Sequence, residues 1–191
     1  RGVWKVYGPK AESIVGSPDA SLSRQELMEK TGCVAAVRDV SFEVSPGEVF
    51  VVMGLSGSGK STLVRCITRL IEPTAGQVVI DGEDVLTLGE ERLREIRRTK
   101  VSMVFQHFAL FETLSVAENI ELALDVESGK AKLGAGLDDR IRTVSEQYGL
   151  PLDPRRYIHT MTAGERQRVE IVRSLLQEPR LLILDEPTSV L

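Results

Sequence analysis

MGLSGSGKSTLVRC, residues 53–66, sets three glycines ahead of one lysine and then turns apolar. Gly54-Leu55-Ser56-Gly57-Ser58-Gly59-Lys60-Ser61 fits the pattern G-x-x-x-x-G-K-[ST]. Glycines at this spacing let the backbone curl until its N–H groups converge on phosphate oxygens. A helix beginning at the lysine adds the positive end of its dipole. Lys60 would then reach the outer phosphates, and the Ser61 hydroxyl is suited to a magnesium ion. A chance match in a chain of 191 residues is on the order of one in a hundred or less at average glycine usage.

The flanks agree with a strand, loop and helix. VFVVM, residues 49–53, reads as a buried strand and STLVRCITRL as a helix, with apolar residues at 63, 64, 67, 70 and 71. Glu72-Pro73 is expected to end that helix. Upstream, Val37, Val40, Phe42 and Val44 alternate before the turn SPGE at 45–48, which predicts a hairpin leading into VFVVM. SRQELMEKTG predicts a short helix with Ser23 and Glu26 as a capping box and Gly32 as its stop. GQVVIDGEDV predicts a strand and turn, GEERLREIRRTK a charged helix with a solvated face, and VSMVFQ at 101–106 a strand. Residues 113–160 read as helical, interrupted by a surface loop in SGKAKLGAGLDD. AGERQRVEIVRSLLQ has Val169, Val172, Leu175 and Leu176 on one stripe. Strands alternating with helices predict an α/β core with a largely parallel sheet.

A phosphate cradle needs an acid for the metal, and LLILDEP supplies one. Leu181 to Leu184 read as a buried strand that delivers Asp185 to the cation, with Glu186 beside it to polarise an attacking water. Composition narrows the remaining classes. The chain is 42% hydrophobic with a net charge of −4, so it lacks the basic excess of a general nucleic-acid binder. No apolar run approaches the roughly 20 residues of a membrane helix. Cys33 and Cys66 have no metal spacing and fit a reducing compartment, Cys66 as a buried free thiol.

Taken together, GLSGSGKST, LLILDEPTS and MTAGERQRVEIVRSLL (161–176) resemble the nucleotide-binding subunits of ABC transporters. Aligned on RQRV, Met161, Thr162, Ala163, Gly164 and Glu165 match the family signature LSGGQ. Gln106 matches the glutamine of the family's Q-loop. The resemblance implies a P-loop NTPase of the α/β class. Its RecA-like core, with an antiparallel β-subdomain, occupies 1–106, a helical subdomain 107–165, and the return to the core 166–191. It implies a shared site: ATP and Mg²⁺ on residues 54–62, Thr62 included, of one copy are closed by Thr162, Ala163, Gly164 and Glu165 of a second. Ser61, Gln106 and Asp185 would hold the metal, and Lys60, Gln106 and Glu186 would serve hydrolysis. Tyr7, followed by Gly8, is the expected adenine-stacking aromatic, with Trp4 the weaker choice. Glu165 departs from the usual amide. Its carboxylate would repel a nucleotide triphosphate unless it points away or pairs, with Arg166 or Arg168 as the expected partners. His107 and His159 read as surface or packing residues.

LMEKTGCVAAVRDVSFEV and the stretch from GLSGSGKST to LSVAEN resemble the ATPase subunits of glycine betaine/proline importers, including the inserted helix ending in EKTG. From about residue 114 the likeness shifts towards importers of simple sugars and nucleosides. The implied partners are a second copy, membrane permease subunits and, through them, a substrate-binding protein. The implied location is the cytoplasmic face of the plasma membrane. The start at Arg1 without methionine and the stop just after LLILDEP read as a piece of a longer domain, one expected to bind ATP better than it hydrolyses it. Two other classes fit worse: the stretch from Gln106 to the signature is too short for the coiled-coil insertion of repair ATPases, and TAGERQRV argues against a P-loop kinase or GTPase.

Overall fold

The computed structural model describes residues 1–104, 109–128 and 136–185. These fall into two compact units, Arg1–Leu93 and Arg94–Leu191. In the first, β1 (Val3–Tyr7) pairs antiparallel with β2 (Val34–Val40), with Tyr7 opposite Val34 and Val3 opposite Val40. Between them lies α1 (Arg24–Thr31). The Ser23 hydroxyl accepts the Glu26 N–H at 3.2 Å, the Glu26 carboxylate accepts the Ser23 N–H at 2.9 Å, and Gly32 stops the helix at φ 70°. This is the expected capping box, and it satisfies two otherwise orphaned donors reciprocally. Leu27 of α1 packs with Val6, Ile14 and Cys33 in a buried cluster against which half-buried Trp4 rests. Arg38 of β2 donates to the carbonyls of Ala20 and Leu22, which fastens the segment before α1 to the sheet.

Downstream, α2 (Lys60–Ile67) follows the glycine-rich loop, and β3 (Val79–Ile80) pairs with β4 (Glu83–Asp84). Asp81 and Gly82 join β3 to β4 with φ of 50° and 80°, the two left-handed residues that a tight hairpin turn requires. The charged helix is α3 (Glu90–Thr99), within which the boundary between the two units falls; Leu93 and Ile96 are its buried residues.

In the second unit, β5 (Val101–Val104) and β6 (Leu181–Leu184) form a parallel pair with Val104 opposite Leu184. Three helices, α4 (Val116–Ser128), α5 (Leu137–Gln147) and α6 (Ala163–Leu175), share one core. Ile120, Ile141, Ile158, Val169 and Val172 are fully buried there. Each such side chain contributes about 1.5–3 kcal/mol of apolar burial.

Three expectations are corrected. VFVVM forms no strand: Val49 and Met53 are 88% and 87% exposed, and among the described strands none pairs with this run. A strand persists only where its N–H and C=O groups meet a ladder. The SPGE turn does form, with the Glu48 N–H on the Ser45 carbonyl at 3.0 Å, and Phe42 and Phe50 stack across it with centroids 4.7 Å apart. The antiparallel partner of β2 is β1. Second, α2 ends at Ile67, short of Glu72-Pro73. Arg69 adopts φ 52°, and its guanidinium donates to the carbonyls of Val85 and Leu88 and to the Glu72 carboxylate. Those tertiary bonds turn the chain before the proline can. Third, among the described strands only β5 and β6 run parallel; the other two pairs are antiparallel. The loop expected in SGKAKLGAGLDD falls largely on 129–135, outside the described residues, and its last residues begin α5.

Candidate functional site: a glycine-rich phosphate loop and a capped helix N-terminus

The glycine-rich loop is held by its closing residues. Gly59 caps α2 at φ 94°, and a Cβ there would lie 2.1 Å from the Ala36 carbonyl oxygen of β2. Only glycine lets the loop pass so close to the sheet. Gly57 also has a positive φ, 77°, with open space around it, so its requirement is conformational. The Ser58 N–H closes a turn on the Leu55 carbonyl at 3.1 Å, and the Leu63 N–H closes the first turn of α2 on Gly59 at 2.8 Å. The Lys60 ammonium folds back over the loop, donating to the carbonyls of Gly54 at 2.6 Å and Leu55 at 3.0 Å. Ser56 and Ser58 lie on the same loop, and Ser61 and Thr62 in the first turn of the helix. Backbone curl, helix start and lysine lie together in this loop, the arrangement of parts that anion sites at helix N-termini use. Tyr7 ends β1, 44% exposed, with the Lys5 ammonium 5.0 Å from its ring centroid.

In the second unit, Thr162 caps α6. Its hydroxyl accepts the Glu165 N–H at 3.3 Å, and the Glu165 carboxylate accepts the Thr162 N–H at 2.8 Å. The carboxylate also accepts from the Thr162 hydroxyl at 3.0 Å. Ala163 and Gly164 form the first turn. The expected partners of Glu165 are wrong in identity. Arg156, not Arg166 or Arg168, forms a two-pronged ion pair with it, and Arg166 reaches Glu112 at 2.6 Å instead. The Thr162 N–H, the Arg156 guanidinium and the Thr162 hydroxyl together hold the Glu165 carboxyl down at about 2. A carboxylate that accepts several N–H bonds beside an arginine stays ionised at any physiological pH.

Sequence reasoning also missed Glu170. It is buried in α6, accepts the Ala109 N–H at 3.0 Å and pairs with Arg173. Burial pushes its carboxyl up, against the pull of Arg173 and the Ala109 N–H. Its place beside Val169 on the buried side of an amphipathic helix was the available signal.

Asp185 follows β6 directly, and its N–H donates to the Val104 carbonyl at 3.0 Å, continuing the parallel ladder one residue past the strand. Gln106, Glu186 and His107 lie outside the described residues. His159 is exposed, with Nδ1 3.2 Å from the Glu112 carbonyl oxygen, and Cys33 and Cys66 are buried free thiols. Among the described residues no group of three or more His, Cys, Asp or Glu side chains is placed to hold a metal, and no helix is long and apolar enough to cross a membrane.

Comparison with known proteins is consistent across three kinds of likeness. The family described as ABC transporter matches residues 37–189. The trimethylamine N-oxide transport system ATP-binding protein TmoW of Pelagibacter ubique is 42% identical over 99% of this chain and 54% of its own length. The glycine betaine/proline betaine transport system ATP-binding protein ProV of Escherichia coli is 38% identical over 100% of this chain and 47% of its own. The glycine betaine transport ATP-binding protein OpuAA of Bacillus subtilis is 40% identical over 99% and 44%. The chain therefore spans about half the length of the curated relatives it matches. Among solved structures, a dimeric bacterial ABC transporter cassette superposes with a TM-score of 0.72 at 30% identity, covering 100% of this chain and 74% of that one. A dimeric ATP-binding cassette in a post-hydrolysis state with ADP and Pi superposes with a TM-score of 0.68 at 29% identity, covering 98% and 73%. A P-loop NTPase fold, a lysine-spanned glycine loop and a family match over four-fifths of the residues converge, and the chain belongs to the ABC transporter family.

Proposed function

We propose that this chain is the ATP-binding and ATP-hydrolysing part of an importer for a small osmoprotectant such as glycine betaine, proline betaine or choline. The observation that carries the chemistry is the Lys60 ammonium across the loop carbonyls of Gly54 and Leu55. A triphosphate bound at the loop exchanges those carbonyls for phosphate oxygens, a stronger, charge-assisted partner for the ammonium. The whole-chain similarity to betaine and trimethylamine N-oxide transport subunits supports the cargo class.

Residues 54–62 bind the phosphates, and Tyr7 stacks on the adenine. The oxygen donors Ser61, Gln106 and Asp185 suit a hard cation, so they are the residues that would hold Mg²⁺. When bound, that ion neutralises charge developing between the β- and γ-phosphates. Glu186 polarises the attacking water and Gln106 orients it. Thr162, Ala163, Gly164 and Glu165 of a second copy close on the γ-phosphate, so ATP acts as the ligand that favours the closed dimer. Residues 107–165 act as the helical subdomain that meets the permease at the cytoplasmic membrane face, and a substrate-binding protein delivers the cargo from the other side. Hydrolysis reopens the dimer.

The test is ATP-driven uptake of radiolabelled glycine betaine in proteoliposomes holding the intact protein with its permease. Uptake that Lys60→Ala lowers at least about 100-fold supports the reading. Unchanged uptake in Lys60→Ala, or ATP-driven uptake of a sugar or nucleoside in place of betaine, contradicts it.

A further inference from the structure

Glu165 stands where it should hinder the reaction proposed above. Its carboxylate lies 3.0 Å from the Thr162 hydroxyl and 2.8 Å from the Thr162 nitrogen, the two groups at the start of α6 that would face a phosphate. In that arrangement the carboxylate adds negative charge beside an incoming anion and competes for the hydroxyl's proton. Arg156 answers the charge. Its two terminal nitrogens hold the Glu165 carboxylate, while Nε donates to the Thr160 hydroxyl at 3.2 Å and Nη2 to the Thr160 carbonyl at 2.8 Å. One guanidinium therefore ties the residue two before Thr162 to the residue three after it.

The backbone around Arg156 is fixed without that side chain. The Val116 N–H donates to the Arg156 carbonyl at 3.0 Å, the Ala117 N–H to Pro154 at 2.9 Å, and the Ile158 N–H to Leu114 at 3.1 Å. Ile158 is fully buried in the helical core. These backbone bonds hold the segment at the start of α4 independently of the Arg156 side chain, which presents Arg156 to Glu165.

We propose that Arg156 is a positioning residue for the nucleotide: it neutralises Glu165 so that the capping carboxylate orders the first turn of α6 without repelling the triphosphate. This rests on the shared-site reading above.

The experiment is a double-mutant cycle in the intact protein carrying Glu186→Gln, reading the ATP concentration that gives half-maximal dimer by analytical ultracentrifugation. Arg156→Gln raises that concentration about tenfold. With Glu165→Gln also present, the effect of Arg156→Gln falls below about threefold, because no charge remains to neutralise. Arg156→Lys, which keeps the charge, stays within about threefold of the parent. The Arg156→Gln defect also shrinks between about 0.01 M and 1 M salt, as an electrostatic defect must and a packing defect need not. Equal loss with and without Glu165→Gln, or no loss in either, overturns the role of Arg156 while leaving the shared site intact. A parent that binds ATP yet stays monomeric overturns the shared-site reading and this proposal together.

Discussion

The buried Glu170 carboxylate accepts the Ala109 N–H at 3.0 Å, joining α6 to a residue 61 positions earlier. Ala109 lies ahead of α4 in the chain, so this bond fastens the segment entering α4 to the helix that Thr162 caps. Glu170→Leu strands both the Ala109 N–H and Arg173, and it should cost about 1–3 kcal/mol. Glu170→Gln keeps an acceptor for Ala109 and should cost less than Glu170→Leu. Urea denaturation midpoints of the two variants check the order.

Gly59 is the position where the phosphate loop tolerates no side chain. A Cβ at φ 94° would lie 2.1 Å from the Ala36 carbonyl oxygen, so Gly59→Ala forces the loop off β2. The expected loss is at least about 2 kcal/mol, combining positive-φ strain with the clash. For a chain of this size that corresponds to a fall in Tm of about 4–8 °C. Gly57→Ala meets open space, carries conformational strain alone, and should lose less on the same calorimetric scan.

The two carboxylates of α6 give opposite pH dependence. Glu165 is held at about 2, below its ordinary 4.5, so it contributes stability above 4.5 that is lost as pH falls towards 2. Burial raises Glu170, so its contribution is full below its unfolded-state value and is lost as pH rises through the folded one. The stability gap between parent and Glu165→Gln should therefore narrow on acidification, while that between parent and Glu170→Gln should move in the parent's favour. Tm measured from pH 7 down to pH 3 for the three proteins reads both signs.

Local signals were legible and long-range ones were not. The capping box at Ser23/Glu26 joins residues three apart and stands in the structure as the sequence predicts, while Thr162/Glu165 forms a second one where only an arginine partner for Glu165 was expected. The run 181–184, expected as a buried strand, is a strand paired in parallel with 101–104, but its four residues are half-buried. The end of α2 was misread because Arg69 turns the chain through carbonyls 16 and 19 residues away, which no local pattern reveals. The partner of Glu165 was misread for a related reason. Arg166 and Arg168 are close in sequence, yet Arg156 is the residue that the backbone bonds to α4 carry to the carboxylate. VFVVM has the composition of a buried strand, but a strand is a relation between two segments, and composition describes one.

In the proposed shared site, ATP on residues 54–62 of one copy is closed by Thr162 to Glu165 of another. The mass of the intact Glu186→Gln protein in solution, measured by light scattering with and without ATP, tests it most directly. The account predicts a monomer that doubles in mass on adding ATP, and a Thr162→Arg companion that binds ATP with ordinary affinity yet stays monomeric. A Glu186→Gln protein that remains a monomer with ATP bound, or a Thr162→Arg companion that still dimerises, would contradict it.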